Sequence, residues 1–222
     1  MSCCYGKQTD TYLSPLLSLT LIFIAITVII SIRAWKDPAL TNRWIFNPYA
    51  VKHHKQYYRF LSSGLLHGGF IHLLFNMLVL YMFGQQVEAV FTSAYGMAGK
   101  VLFAGLYILG IIISDIPTFF KYKDAPYYNA LGASGGVSSI LFSYILFDPS
   151  SKLYLYGLIG LPGVIWAALY IIYSYYMGKK QIDNVNHDAH LYGGIFGIVF
   201  TIITIPQVVP HFFEQLTQLR LF

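Results

Sequence analysis

The sequence predicts an all-α, polytopic membrane protein of six helices, and three observations carry that prediction. Hydrophobic residues make up 56% of the chain and charged residues only 10%, with a mean hydropathy of +0.58. Soluble domains carry about 25% charged residues, so most of this chain faces something other than water. The apolar residues fall in several long runs, more than one span can account for. Those runs lack the short alternation of a membrane barrel, and a backbone in lipid must satisfy its own hydrogen bonds, which leaves helices.

The elements follow in order. Residues 1–11 form a short polar tail with adjacent Cys3 and Cys4. Two neighbouring cysteines make neither a disulfide framework nor a zinc site; palmitoylation is conceivable, and ordinary thiols in a mobile tail are the plainer expectation. A first span is expected over about Leu13–Ile32, with Pro15 in its first turn. No small-residue cleavage site follows it, so it reads as a retained helix. The region Arg33–Arg59 is long for a loop and rich in aromatic and basic residues, which predicts short interfacial helices. A second span is expected over Phe60–Phe83, ended by Gly84-Gln85-Gln86, with Glu88 in the linker. A third is expected over Met97–Phe120, a fourth over Leu131–Phe147, a fifth over Leu153–Met177 with Pro162 inside it, and a sixth over Ala189–Val208. One membrane domain, 12–208, thus lies between two short tails, 1–11 and 209–222. No fixed-period repeat is present.

The net charge of +5 and pI of about 9.1 come from basic residues scattered between apolar runs. That pattern points to lipid headgroups and away from nucleic acid.

The chemistry-bearing residues cluster at span ends. Gly132-Ala133-Ser134-Gly135-Gly136 opens the fourth span. A serine in a membrane helix is ordinarily only a hydrogen-bonding group. Ser134, however, has His67, His72 and Asn76 in an earlier span and His190 in the last. His72 and Asn76, four apart, share a helix face; His67 points elsewhere or sits at the helix mouth. Polar side chains inside a membrane are costly and point to function. His190 precedes Gly193 and Gly197, a small-residue stripe that lets another helix approach closely. If that helix carries Ser134, the imidazole can reach its hydroxyl, which is what activates a serine nucleophile. The plainer alternative is that His190 caps the sixth helix. His187 competes for the role but lies in the polar loop, with no glycine stripe behind it. A zinc protease would need His-Glu-x-x-His, which is absent. An aspartate dyad would need two intramembrane aspartates, and only Asp115 comes near. Asp188 faces away from His190 on a helix, so a Ser–His dyad is expected without metal or cofactor.

These residues, His67-x4-His72-x3-Asn76, Gly132-x-Ser134-Gly135 and Ala189-His190-x-x-Gly193-x3-Gly197, resemble the ordered motifs of the rhomboid intramembrane serine proteases. The resemblance covers about residues 12–208 and implies the six-helix fold. It also implies Ser134 as nucleophile and His190 as general base. His72 and Asn76 are implied as oxyanion stabilisers, with the Ser134 amide a third donor. His67 takes a supporting role, and Gly132, Gly135, Gly193 and Gly197 shape the site. Tyr58-Arg59 resembles the family's Trp-Arg pair, and Glu88 matches a structural glutamate. Two positions depart from the pattern: Tyr58 replaces Trp, and Ser138 stands where many members carry a tyrosine packed on the catalytic histidine. The implied substrates are single-pass transmembrane proteins, cut in or near the bilayer. The implied location is a multi-pass protein of the plasma (inner) membrane in a prokaryote. An inactive rhomboid-like protein that binds transmembrane segments is the alternative, and a histidine-based proton transporter a third. The loops on the Ser134 side hold most of the Lys and Arg, so the positive-inside rule gives the reverse of the orientation that the resemblance implies.

Overall fold

The computed structural model describes residues 18–155, 159–180, 183 and 185–218. The N-terminal tail with Cys3 and Cys4, Pro15 and the expected start of the first span lie outside the described residues, as do residues 219–222.

Helix α1 (Leu19–Lys36) runs one turn past the expected Ile32 and ends at Asp37. The long connection after it contains α2 (Pro38–Trp44) and α3 (Pro48–His54), as its aromatic and basic content predicts. Each begins with a proline behind an N-capping side chain, Asp37 and Asn47 respectively. A short α4 (Arg59–Ser62) runs into a 3₁₀ turn, Ser63–Leu65. The long α5 (Phe70–Tyr95) corrects the second span at both ends. It starts ten residues later than Phe60, after Gly68-Gly69. It also passes straight through Gly84-Gln85-Gln86 and stops only at Gly96, whose φ is 58°. Glu88 is therefore inside a helix, and its carboxylate accepts hydrogen bonds from the Leu19 and Thr20 amides and the Ser18 and Thr20 hydroxyls, all at 2.8–3.0 Å. One buried side chain thus satisfies orphan donors at the start of α1.

Helix α6 (Met97–Ser114) breaks at Asp115 and continues as α7 (Ile116–Tyr122). Helix α8 (Ser134–Phe147) is short and almost wholly buried. The fifth span is corrected too. Strands β1 (Lys152–Leu155) and β2 (Ile159–Pro162) pair as an antiparallel hairpin, which an apolar-run reading cannot distinguish from helix. Pro162 ends β2, and α9 (Gly163–Lys180) follows it. Helix α10 (His187–Thr204) opens two residues earlier than expected, so that His187 belongs to the helix and is buried. It bends by 112° into an amphipathic α11 (Val208–Thr217).

Among the described residues, α1, α5 and the α6–α7 stretch are long and apolar enough to cross a membrane. The bent α10–α11 pair is a fourth if taken as one span. Helix α8 sits at the centre, packed between α6 and α10, with α5 alongside. Small residues make this possible. A Cβ on Gly193 or Gly197 would fall inside the contact radius of the Gly135 or Ser139 carbonyl oxygen. Polar groups seal the same seam: the Ser139 hydroxyl lies 2.8 Å from the Gly193 carbonyl, and Thr201 donates to Ser143 at 2.8 Å.

Candidate active site

Ser134 is the first residue of α8, behind Ala133 at the N-cap. The amides of Ser134, Gly135 and Gly136 therefore have no partner within the helix, and they sit at its positive dipole end. The chain reaches this point through Gly132, whose φ of 127° favours glycine. A Cβ there would also lie 2.8 Å from Cε1 of the His72 ring. The approach to Ser134 is pinned from outside as well: Gly132 N–H donates to Ser63 O at 3.0 Å, and Phe46 and Ala130 exchange backbone hydrogen bonds.

A cavity of about 540 Å³ opens at this helix start. His72 and Asn76 of α5, Ser134 and Ser138 of α8, Tyr170 of α9, and Asn186 and His190 all line it. The remaining wall includes Phe75, Val79, Val137 and Leu141, so a few polar groups face each other across an apolar lining. Four of the residues singled out in the sequence thus meet in one space. No hydrogen bond joins Ser134 to His190 among the described residues; such contacts commonly tighten only when substrate is bound. Asn76 spends one N–H on the His72 carbonyl of its own helix, at 2.9 Å, and keeps the other.

His67 stands outside that cavity. The Ser31 hydroxyl donates to Leu65 O at 2.9 Å, so the 3.0 Å contact between Ser31 Oγ and His67 Nδ1 has the imidazole as donor. Its Nε2 then accepts from the Ala133 N–H at 3.4 Å. His67 is thereby a neutral bracket between α1 and the residue before Ser134, its ring edge-on to His72 at 4.9 Å. Arg59 braces the connecting region by donating to the Asn42 and Ile45 carbonyls and to Gln56.

His190 is placed by the seam between α8 and α10 and by a cap. Asn186 Oδ1 accepts from the Ala189 amide at 3.2 Å and from the Thr118 hydroxyl at 3.1 Å, while its Nδ2 donates to the buried Asp115 at 3.1 Å. The break between α6 and α7 therefore anchors the helix that carries His190. Neither nearby aspartate reaches His190: Asp188 pairs with Lys121 at 3.0 Å and Asp183 with His187 Nε2 at 3.0 Å. The His187 hydrogen bond holds the exposed Asp183 carboxyl below the usual carboxylate range. Tyr170 faces His190, ring to ring.

Asn186 and Tyr170 are the residues that sequence reasoning missed. An Asn just before an apolar helix is a recognisable cap signal. Tyr170 is one of four tyrosines within 170–176 and carries no distinguishing mark.

A family model for the rhomboid domain matches residues 54–207 of the chain. Rhomboid-like protein 15 of Arabidopsis thaliana is 28% identical over 70% of the chain and 39% of its own length. Rhomboid protease GluP of Bacillus subtilis is 26% identical over 86% of the chain and 34% of its own length. Putative rhomboid protease YdcA of the same bacterium is 28% identical over 68% of the chain and 69% of its own length. The chain spans well under half the length of the first two.

Proposed function

Because the chain belongs to the rhomboid family, we propose that it is an intramembrane serine endopeptidase, cutting single-pass membrane proteins in or near their transmembrane segments through a Ser134–His190 dyad. The observation that carries this reading is the shared cavity. A serine at a helix start, a histidine on the facing helix, and two further side-chain donors line one space of about 540 Å³.

The reaction follows from these positions. Ser134 Oγ attacks the scissile carbonyl carbon while its proton passes to His190, and the carbonyl π pair moves onto oxygen. The oxyanion is received by the free Ser134 amide at the start of α8, by His72 and by the spare N–H of Asn76. His190 then gives its proton to the leaving amine as the C–N bond breaks. Water repeats the sequence on the acyl-enzyme and frees the acid. A positioned base contributes about 10²–10⁴-fold, and one oxyanion donor about 10²–10³-fold. With Asp188 held by Lys121 and Asp183 by His187, the base works as half of a dyad. In this reading α8 and α9 complete six crossings, and in a prokaryote the membrane is the plasma (inner) membrane.

The test is cleavage of a reporter transmembrane substrate by purified protein in proteoliposomes. The wild type is expected to cleave it, and Ser134→Ala to be inactive at an unchanged Tm, since only a hydroxyl is removed. Cleavage by Ser134→Ala would overturn the nucleophile. A wild type that binds the substrate without cutting it, and resists a fluorophosphonate, would replace the protease with the inactive, segment-binding alternative.

A further inference from the structure

Helix α8 offers His190 no aromatic neighbour one turn beyond Ser134, because Ser138 stands there. The partner comes from another helix. The Tyr170 ring of α9 lies over the His190 imidazole with centroids 6.0 Å apart and planes 24° from parallel. That is within the range of offset-stacked aromatic pairs. The tyrosine is itself fixed at two points on α8: its hydroxyl is 2.8 Å from Ser138 Oγ, and its ring packs at 5.6 Å on Phe142. Among the described residues neither ring nitrogen of His190 makes a hydrogen bond, so ring contacts with Tyr170 and His187 set the imidazole plane. When His190 takes a proton from Ser134 it becomes a cation. An aromatic face within about 6 Å attracts a cation, so the same contact favours the charged state of the reaction.

We infer that Tyr170 is the positioning residue for His190, and that the orientation of the base depends on how α9 is docked. The second half follows from where the ring is carried. Of α9's 18 residues only Gly163 and Ser174 are buried, whereas eleven of α8's 14 are. Helix α9 packs on α10, where the Tyr173 ring meets His187 at 5.4 Å, and is tied to its other neighbours by Tyr170 on α8 and by Trp166, one turn earlier, whose indole N–H donates to the Leu153 carbonyl of the hairpin at 2.8 Å. Trp166 is remote from the cavity lining, yet it holds the helix that delivers the ring. Loosening α9 at the hairpin therefore loosens the base. This inference rests on the dyad reading above, and its test includes a measurement that does not.

The experiment compares wild type, Tyr170→Phe, Tyr170→Leu, Trp166→Ala, Ser138→Tyr/Tyr170→Ala and that double variant with Trp166→Ala. Readouts are kcat and KM on the reporter substrate, and the ring-current shift of the His190 Cε1 proton in histidine-labelled protein. Tyr170→Leu keeps an apolar, though smaller, side chain and loses the ring; kcat should fall by roughly 10–10²-fold, the cost of a small misplacement, with KM little changed. Tyr170→Phe should lose far less. Moving the ring to position 138 should restore kcat relative to Tyr170→Leu. Trp166→Ala should lower kcat with the ring on α9 and leave it unchanged with the ring on α8. Wild-type turnover in Tyr170→Leu, or a Trp166→Ala effect of the same size in both backgrounds, would overturn the inference. If the relocated variant does not fold, Tyr170→Leu against Tyr170→Phe decides the first half, and Trp166→Ala the second through its His190 shift. A wild type that cleaves nothing would refute the protease, while an unmoved His190 shift in Tyr170→Leu would refute the stacking.

Discussion

Helices α8 and α9 border the same cavity and are held in opposite ways. Helix α8 is packed on nearly every side through glycine and serine, with backbone against backbone at Gly135 and Gly193. Helix α9 turns Leu169, Ile172, Tyr173, Tyr175 and Tyr176 outward and is buried at only two small residues. In lipid no hydrophobic force drives helices together, so close approach and polar seams supply the adhesion. Helix α8 has both, whereas α9 leans mainly on α10 and meets its other neighbours through single side chains such as Tyr170 and Trp166. Ser134 therefore sits on the closely packed helix of the cavity, and the ring facing His190 on the more exposed one.

The sharpest way to break that contrast is to put a side chain into the seam. Gly197→Leu should prevent recovery of folded protein, because its Cβ meets the Ser139 backbone and no rotamer relieves that. Overpacking commonly costs about 1–3 kcal/mol, and here the neighbour is main chain, which cannot swing aside. Ile172→Ala, on the outward face of α9, should give normal yield and Tm. Size-exclusion profiles and thermal melts in one detergent check both. Equal behaviour would erase the distinction between the helices.

Next in size is the cap that fastens α10 to the α6–α7 break. Asn186→Ala removes the acceptor for Ala189 N–H and the donor to Asp115. A lost cap costs about 0.5–2 kcal/mol, and a buried polar group left unpaired about 1–3 kcal/mol. Tm should drop clearly, and turnover per folded molecule should fall with it, because the cap also sets the start of the helix bearing His190. Asp115→Asn keeps an acceptor for Asn186 and should be much milder. Parallel losses of equal size in the two variants would mean that the Asp115 carboxyl itself, and not its bridge to Asn186, matters.

How much of this was legible in the sequence can be argued from particular residues. The apolar runs gave the class and the order of the helices because apolarity is a local property. Gly193 and Gly197 predicted the close approach of another helix, and in the structure that helix is the one that begins at Ser134. Helix ends were less legible. Gly84 looked like a stop but is a packing glycine against Thr20 inside α5. The run from Leu153 looked helical because buried strands and helices share apolarity. Residues 1–17 remain outside the comparison. The conspicuous types, Ser134, His72, Asn76 and His190, were singled out by type and spacing, and they line one cavity. Tyr170 was invisible because its meaning comes entirely from which helix face lies opposite, a tertiary fact with no local trace.

The smallest effect belongs to a third manner of attachment, found in neither helix. Lys52 at the end of α3 bridges to Asp124 in the loop after α7, joining two surface segments through long, exposed side chains. The Lys52 hydrogen bond holds the Asp124 carboxyl below the usual carboxylate range, with the Lys52, Lys123 and His53 charges acting in the same direction. The folded state therefore binds fewer protons than the unfolded chain as this group titrates. Its contribution is present above the ordinary aspartate range, near pH 3.9, and is lost as pH falls through the lowered native value. Both partners are exposed and screened at physiological salt, where the Debye length is about 8 Å. Asp124→Asn should accordingly lower Tm barely at pH 7, less still in high salt, and not at all once the wild-type carboxyl is protonated. Melts of both proteins across pH and salt check this. A large loss at pH 7 that survives high salt would show that the outer loops, and not the seam beneath α8, hold the approach to Ser134 in place.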